Sequence, residues 1–489
     1  MRFGGSKGSQ SSRTWENRQA RKRAVSALDD ILARKKADVA RRMEKEPFES
    51  LRERAVPSAR RFRDALEKDS ACFILECKKA SPSGLIRANF DIDEIAGAYA
   101  GFADAVSVLV DEPFFQGSFE YLERARAALD QPILCKDFVI NPYQVSEARV
   151  HGADAVLLML SVLDDETYTA CANEAGRLSM DALTEVHGED ELERAVALGA
   201  PIIGINNRNL RTLEVDINTA SKLADRVPSD RTLVCESGIG SREDVLNMEG
   251  RADAFLVGGM LMKAPRIDLA VRGLLYGAVK ICGLSSPEDA AEAFLRGASF
   301  GGVIFAAESP RKIDEALALE ISRASAPPLV GVFVNEDKSR IVRLAAGMNL
   351  AAVQLHGEET GEDIAMLRRE LPARCEIWKA LRVRDRLPDT DGYGADCVLL
   401  DAHAGNLRGG AGVSFDWSLL NDCPDKSRII AAGGINPENA RRASRLGCRA
   451  VDVNSGVEYP GAPGKKDHDK MKKLFGNIKI GRRRRERPN

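Results

Sequence analysis

Charged side chains end several short apolar runs in the first half of the chain. Glu76 and Lys78 close the first run, Lys136 closes the third and Glu185 closes the fifth. Because alternate residues of a β-strand point to the same side, Glu76 and Lys78 would share one face. Neighbouring lysine and glutamate side chains shift each other's pKa values, which suits them to donate and accept protons. The pattern therefore predicts general acid–base chemistry.

Glycine-rich turns follow the seventh and eighth runs. Gly238 lies after the seventh run, and Gly258 and Gly259 follow the eighth. Backbone N–H groups in such turns can hold a phosphate group. A single lysine at a strand end would more often form a solvated salt bridge. Six charged or glycine-rich run ends in one half of the chain favour a site for a phosphorylated substrate instead.

A second set of candidate residues lies in the other half of the chain. Cys282 ends the first apolar run of this half, before Gly283, and Asp401 ends the sixth. A cysteine at a strand end is more often a buried structural residue. The turn at Gly283 and the acid at Asp401 favour a functional cysteine here. Glycines after the sixth, seventh and eighth runs suggest a second phosphate site.

The apolar runs predict β-strands, because amphipathic helical segments alternate with them. Eight runs extend from residues 73–78 to residues 254–257, and eight more from residues 278–282 to residues 450–453. This cycle predicts an α/β fold of two tandem (β/α)8 TIM barrels. The carboxyl ends of the strands of such a barrel face one mouth, where the candidate residues would converge. Helical periodicity over residues 26–46 predicts an extra N-terminal helix on the first barrel.

Length and charge suggest the domain limits. The chain has 489 residues and a net charge of -2. We predict a basic N-terminal tail over residues 1–25, barrels over 26–276 and 277–479, and a basic C-terminal tail over 480–489. The basic ends leave a nucleic-acid-binding protein as an alternative, but no aromatic platform or recognition helix accompanies them.

Other classes of protein are disfavoured by composition. No apolar run reaches the length of a membrane span, and the polar N-terminus lacks the apolar core of a signal peptide. The ten cysteines form no CxxC pair, and the five histidines are dispersed. We therefore expect reduced thiols, a cytoplasmic location, no metal site and no cofactor.

Five motifs of the first half resemble indole-3-glycerol-phosphate synthase over about residues 26–275: Glu-x-Lys-x-x-Ser-Pro-Ser, Cys-Lys-Asp-Phe, Leu-Thr-Glu-Val, Gly-Ile-Asn-Asn-Arg and Glu-Ser-Gly-Ile. The resemblance implies that carboxyphenylamino-deoxyribulose phosphate loses carbon dioxide and water as the indole ring closes. Lys136 would be the general acid on the substrate ketone, and Glu185 would support proton transfer during dehydration. Glu76 and Lys78 would complete the charged cluster. The substrate and its phosphate would contact Asn206, Ser237, Arg208, Ser81, Gly238, Gly258 and Gly259.

Motifs of the second half resemble phosphoribosylanthranilate isomerase over about residues 278–478, including Lys-Ile-Cys-Gly, Val-Gln-Leu-His-Gly, Gly-Gly-Ile-Asn-Pro and Asn-Ser-Gly-Val-Glu. The resemblance implies an Amadori rearrangement. Asp401 would be the acid that opens the furanose ring, with a raised pKa, and Cys282 the base that removes the C2′ proton, with a lowered pKa. Arg311 would pair with the anthranilate carboxylate. The phosphate would contact Gly410, Gly412, Gly433, Gly434, Ser455 and Gly456.

Together the two resemblances imply a bifunctional enzyme of tryptophan biosynthesis, because the isomerase product is the synthase substrate. Small phosphorylated anthranilate-derived substrates are the expected partners, without nucleic acid or membrane, and the chain is expected to be a monomer. An alternative keeps one barrel active and the other as a scaffold. His356 is interpreted as a hydrogen-bonded neighbour of the site and stays outside the catalytic set.

Overall fold

The chain folds into two compact units. The computed structural model describes residues 28–209, 214–324, 327–402 and 414–483. One unit runs to Val271 and includes the residues from Ile480 onward, and the other runs from Arg272 to Lys479. Each unit contains a closed barrel of eight parallel strands, which confirms the predicted fold class. Within those described ranges, no helix is long and apolar enough to cross a membrane.

The first barrel has its strands in chain order around the circle. They are β1 (Cys72–Cys77), β2 (Ala105–Leu109), β3 (Ile133–Lys136), β4 (Ala155–Met159), β5 (Asp181–Val186), β6 (Ile202–Asn206), β7 (Thr232–Glu236) and β8 (Ala254–Val257). Strand β1 closes the barrel against β8, with Cys72 opposite Ala254. The strands are buried because their side chains alternately fill the interior and pack beneath the helices.

Helices follow the strands of the first unit, and an extra one precedes them. The first helix, α1, covers residues 28–45, and its buried Leu28 and Ile31 join the core of the barrel. The others are α2 (Phe48–Arg54), α3 (Phe62–Ala65), α4 (Ile92–Tyr99), α5 (Glu112–Phe115), α6 (Phe119–Ala128), α7 (Pro142–Val150), α8 (Asp165–Arg177), α9 (Glu189–Ala197), α10 (Asn218–Leu223), α11 (Arg242–Asn247), α12 (Gly259–Lys263) and α13 (Ile267–Tyr276). The unit boundary at 271/272 therefore falls inside α13.

The second barrel repeats the architecture. Its strands are β9 (Val279–Ile281), β10 (Phe300–Ile304), β11 (Leu329–Phe333), β12 (Ala352–Leu355), β13 (Glu376–Val383), β14 (Cys397–Ala402), β15 (Ile429–Ala431) and β16 (Ala450–Val453). Its helices are α14 (Pro287–Arg296), α15 (Glu315–Arg323), α16 (Lys338–Gly347), α17 (Gly361–Glu370), α18 (Ala440–Ala443) and α19 (His468–Ile478). Strand β9 closes the circle against β16.

Two aspartates stabilise the amino-terminal end of the first barrel by accepting hydrogen bonds from neighbouring strands. Asp154 precedes β4, and its Oδ2 accepts the Ile133 N–H of the neighbouring strand at 3.0 Å. Arg126 and Arg149 pair with the same carboxylate, which has no exposed side-chain surface. Asp253, before β8, accepts the Leu233 N–H in the same way. These contacts stabilise the floor of the barrel, so the opposite, carboxyl end is left for chemistry.

The residues that follow the second barrel pack against this floor of the first unit. Ile480 is buried, and its carbonyl accepts the Ala71 N–H at 2.9 Å. The Gly481 N–H donates to Glu249, and Arg482 pairs with Asp253 at 2.9 Å. The sequence analysis placed residues 480–489 in a solvated tail. Residues 480–483 are instead held in place, because burial of Ile480 outweighs the preference of the following arginines for solvent.

Candidate active sites

Lys136 occupies the carboxyl end of β3 in the first barrel. Its Nζ lies 2.7 Å from Glu236 Oε2 on β7 and 3.4 Å from Glu185 Oε2 on β5. Burial alone would lower the pKa of Lys136, but the two carboxylates, with Glu76, outweigh it and raise that pKa. The ammonium therefore keeps its proton until a substrate withdraws it. We call Lys136, Glu185 and Glu236 the Lys136 cluster.

The pKa values of the two carboxyl groups of the Lys136 cluster are shifted in opposite directions. Burial raises the pKa of Glu236, and the charge of Glu185 adds to this effect, while Lys136 only partly opposes it. Burial acts on Glu185 too, but Lys136 and His187 outweigh it and lower the pKa of Glu185. A carboxyl group with a raised pKa and one with a lowered pKa thus flank one ammonium, an arrangement that can give and take protons.

Glu76 and Lys78, at the end of β1, form an ion pair in the same mouth. The Glu76 carboxylate lies where a Cβ on Gly258 would stand, so a larger residue at position 258 would collide with it. Gly258 therefore has a packing reason to be glycine besides the predicted phosphate contact. Asn206, at the end of β6, hydrogen-bonds to Glu185 and accepts the Arg208 N–H at 2.9 Å.

The predicted phosphate residues of the first barrel lie at the same end. Ser237 and Gly238 follow β7 with φ of 63° and 80°, a backbone conformation that glycine adopts readily and serine seldom does. Gly259 begins α12 directly after β8. Ser81 belongs to a short hairpin after β1, where its Oγ accepts the Ser83 N–H at 3.3 Å.

Cys282 lies after β9 in the second barrel, beside a buried ion pair. Lys280 Nζ lies 2.9 Å from Asp452 Oδ1 and also hydrogen-bonds to the Cys282 thiol. Burial and the charge of Asp452 raise the pKa of Cys282, and Lys280 only partly offsets them. The lowered thiol pKa expected from the sequence is therefore wrong for this state, since the low-polarity interior disfavours the thiolate.

Asp401, at the end of β14, has the raised pKa expected of an acid. Burial, followed by the nearby charge of Asp452, raises the pKa of Asp401 to about 6. Its Oδ1 accepts the Ala402 N–H at 2.9 Å, and its Oδ2 lies 3.6 Å from His356 Nε2. Asp401 and Cys282 line one cavity of about 650 Å³, so the structure brings the predicted acid and base together.

Arg311 lines the same cavity but is partly engaged. Its Nε and Nη2 each donate to a different oxygen of Glu458 at 2.8 Å, which leaves Nη1 as the guanidinium nitrogen not used by Glu458. Glu458 was not foreseen, although it ends the Asn-Ser-Gly-Val-Glu motif. A bidentate partner fixes the plane of a guanidinium, so Glu458 would orient Arg311 toward an anion.

The remaining predicted phosphate residues gather at the cavity rim. Gly433, Gly434 and Ser455 line it, and the two glycines have φ of 80° and 63°. Gly456 abuts the Ile435 carbonyl so closely that a Cβ there would collide with the backbone. Gly410 and Gly412 lie outside the described residues. Across the described ranges, no group of histidine, cysteine and acidic residues is arranged to hold a metal ion.

Comparison with known proteins accounts for both halves. The family model for indole-3-glycerol phosphate synthase matches residues 28–274, and the model for N-(5'phosphoribosyl)anthranilate (PRA) isomerase matches residues 279–477. The tryptophan biosynthesis protein TrpCF of Vibrio parahaemolyticus is 48% identical over 90% of this chain and 92% of its own length. That of Yersinia pestis is 45% identical over 93% and 94%. The chain belongs to the bifunctional TrpCF family.

The synthase and isomerase domains each contain site residues that the sequence analysis missed. Glu236 ends β7 just as Lys136 ends β3, so the rule applied to other strand ends would have found it. His187 follows Glu185 by two positions, a spacing that would have indicated a shared side. Lys280 begins the Lys-Ile-Cys-Gly motif and Asp452 lies two positions before the Asn-Ser-Gly-Val-Glu motif, but their pairing depends on closure of β9 against β16.

Proposed function

We propose that Lys136, Glu185 and Glu236 carry ring closure in the first barrel, and that Asp401 and Cys282 carry the isomerisation in the second. The two reactions are those of indole-3-glycerol-phosphate synthase and phosphoribosylanthranilate isomerase, consistent with the family. The observation that supports the proposal most is that each barrel gathers its proton donor and acceptor at one end. Because each half matches its own family, a single active barrel or a nucleic-acid-binding protein is not favoured.

In the isomerase barrel the protonated Asp401 would deliver its proton to the furanose ring oxygen. The ring then opens to an iminium ion, and the C2′ proton becomes acidic. Cys282, as the thiolate, would take this proton, and Lys280, which hydrogen-bonds to the sulfur, would stabilise that thiolate. The remaining Nη1 of Arg311 is placed to bind a carboxylate. The resulting enolamine becomes the aminoketose.

In the synthase barrel the Lys136 ammonium would hydrogen-bond to the substrate ketone and protonate its oxygen as the new carbon–carbon bond forms. Loss of carbon dioxide restores electrons to the ring. Loss of the hydroxyl then needs one proton delivered to oxygen and one removed from carbon. A carboxylic acid and a carboxylate beside Lys136 meet these two requirements.

The substrates are small phosphorylated anthranilate derivatives, and the finer context is also a proposal. We infer that the chain acts as a monomer in the cytoplasm. Its ten cysteines are free thiols, which is usual in a reducing compartment. Light scattering of the purified protein would give the mass of one chain, 53.2 kDa, and a larger mass would contradict this part of the proposal.

Two substitutions, assayed separately, test the site assignments. Lys136→Ala is expected to reduce synthase turnover at least about 10²-fold and leave the isomerase unchanged, because general acids contribute this much. Cys282→Ala is expected to do the reverse. Each variant serves as the folding control for the other. If either substitution spared the activity assigned to it, that assignment would be wrong.

A further inference from the structure

We propose that His187 is a positioning residue of the synthase barrel, because its charged ring holds Glu185 in the ionised form. The proton of the Lys136 cluster then resides on Glu236. This inference deepens the proposed function and rests on it, since it concerns the division of labour between the two carboxyl groups. His187 follows β5 directly, and α9 faces it from the other side.

Both ring nitrogens of His187 face carboxylate oxygens. Nδ1 lies 3.1 Å from Glu191 Oε2 on α9, and Nε2 lies 3.3 Å from Glu185 Oε1. The His187 backbone N–H also donates to Glu191 Oε2 at 2.8 Å, which fixes that carboxylate. A neutral imidazole has one N–H and one lone pair, so it would turn its lone pair toward one of the two anions. The imidazolium form, which has two N–H groups, removes this repulsion.

The surroundings of His187 agree with a permanent charge. Its side chain is 10% exposed, so solvent screens the two ion pairs weakly. Burial opposes the charged form, but Glu185 and Glu191 outweigh it and raise the pKa of His187 to about 10. The ring therefore stays cationic throughout the neutral range.

The His187 imidazolium contacts Glu185 but not Glu236, whereas Lys136 contacts both carboxyl groups. Glu185 faces His187 on one side and Lys136 and Asn206 on the other. Glu236 has Lys136 on Oε2, and its carboxyl group also hydrogen-bonds to that of Glu185. Two carboxyl groups can share a hydrogen bond only when one of them carries a proton, and protonation costs less at the group that lacks the His187 cation. The asymmetry therefore assigns the negative charge to Glu185 and the proton to Glu236.

This assignment gives each carboxyl group one task in the dehydration. Glu236 would pass its proton to the departing hydroxyl, which leaves as water. Glu185 would accept the proton that leaves the substrate carbon as the aromatic ring forms. One proton enters the cluster and one leaves it. Transfer from Glu185 back to Glu236, through the adjacent Lys136, would restore the two carboxyl groups, and a proton from solvent would replace the one that Lys136 gave to the ketone oxygen.

The pH dependence of the synthase reaction tests the proposal. His187→Asn removes the cation, so the pKa of Glu185 should rise and the acidic limb of kcat/KM should move upward. The pKa of Glu185 is about 2 in the wild type, and loss of an adjacent cation should raise it by about one to three units, so that kcat/KM falls toward about pH 4 in His187→Asn and stays level there in the wild type. His187→Lys keeps a cation beside Glu185 and should return the limb toward its original position. An acidic limb that does not move in His187→Asn would overturn the proposal.

Two controls separate charge from folding. His151→Asn removes a histidine that pairs with Glu123 at 2.8 Å at the surface of the same unit, and it should leave the pH profile unchanged. Isomerase activity and the unfolding midpoint of each variant report whether the chain folds. If the variants proved unfolded, nitrogen NMR of labelled wild-type protein would decide. Only five histidines are present, and a neutral His187 ring at pH 7 would refute the proposal.

Glu185→Gln distinguishes this inference from the proposed function beneath it. If Glu185→Gln retained full synthase activity, the assignment of Glu185 itself would fail, and the role of His187 with it. If Glu185→Gln abolished synthase activity while His187→Asn kept the original pH profile, only the His187 proposal would fail. Loss of synthase activity in Glu185→Gln, together with a shifted acidic limb in His187→Asn, would support both the role of Glu185 and that of His187.

Discussion

At the scale of single residues, each lysine ammonium group inside the two sites is stabilised by a neighbouring carboxylate. Lys136, Lys280 and Lys466 each lie beside at least one carboxylate within about 3 Å, with Glu236, Asp452 and Glu458 as the respective partners. A buried lone charge would cost several kcal/mol, which a close counter-ion offsets. The same residues thus provide stability and chemistry.

The acid limb assigned to Asp401 gives a prediction at this scale. Its pKa of about 6 is raised by burial and by Asp452, and the isomerase needs the protonated form. Because Cys282 must be a thiolate and its pKa is raised, we expect isomerase kcat/KM to rise with pH and to level off at about pH 6, where loss of protonated Asp401 begins to offset the gain in thiolate. In Asp452→Asn one cause of the raised pKa is removed, so the limb should move to lower pH. Measured pH–rate profiles of both proteins check this.

The same profiles contain their own control. Synthase activity of Asp452→Asn should keep its wild-type pH dependence, because Asp452 belongs to the other unit. An isomerase limb that stayed in place, or moved to higher pH, would show that Asp452 does not act on Asp401 through its charge.

Helix α1 shows how an element outside the barrel cycle is attached to it. Lys35 on this helix is buried, and its Nζ lies 2.7 Å from Asp111 Oδ2 and 2.6 Å from Asp137 Oδ1. The first carboxylate follows β2, and the second comes directly after Lys136 at the end of β3. Gln144 donates to the other oxygen of Asp137 at 3.1 Å. One lysine thus anchors α1 to the segments that border the synthase mouth.

Removal of this anchor should destabilise the first unit. Lys35→Met leaves two buried carboxylates without their cation, for which we expect a loss of about 3–5 kcal/mol in the free energy of unfolding. Loss of synthase activity in urea would report this unit, while fluorescence of Trp378 and Trp417 would follow the other. The adjacent Lys36 is exposed, so Lys36→Met should behave as wild type. Equal urea midpoints for the two variants would contradict the anchor.

At the scale of the whole molecule, the first unit is built from two stretches of chain that are distant in sequence. Residues 480–483 come after the complete second barrel, yet they pack on the floor of the first. Completion of the first unit therefore requires the end of the chain. Each barrel nevertheless keeps its own site, because each gathers its residues from its own strand ends.

Truncation tests this dependence on the chain end. A chain that stops after Lys479 loses the buried Ile480 and the pair of Arg482 with Asp253. Burial of an isoleucine contributes about 1.5–3 kcal/mol, so synthase activity should be lost at lower temperature while the isomerase is unaffected. A chain that stops after Arg483 should match the full-length protein. Identical inactivation curves for the two truncations would show that residues 480–483 do not stabilise the first unit.

The sequence by itself determined the two barrels, the family and most strand-end residues. Strand and helix periodicities are local properties of the sequence. A motif such as Cys-Lys-Asp-Phe likewise indicates by itself which strand end it occupies. Lys136, Glu185, Cys282 and Asp401 could therefore be located without coordinates. The barrel rule then placed each group at a mouth.

Only the tertiary structure decided which of these groups touch and which of them hold protons. Barrel closure brought Glu236 to Lys136 across 100 positions of sequence. Burial reversed the expected direction for the pKa of Cys282 and gave Arg311 a partner in Glu458. Desolvation and charge pairing depend on the whole environment of a group. No local pattern contains that information.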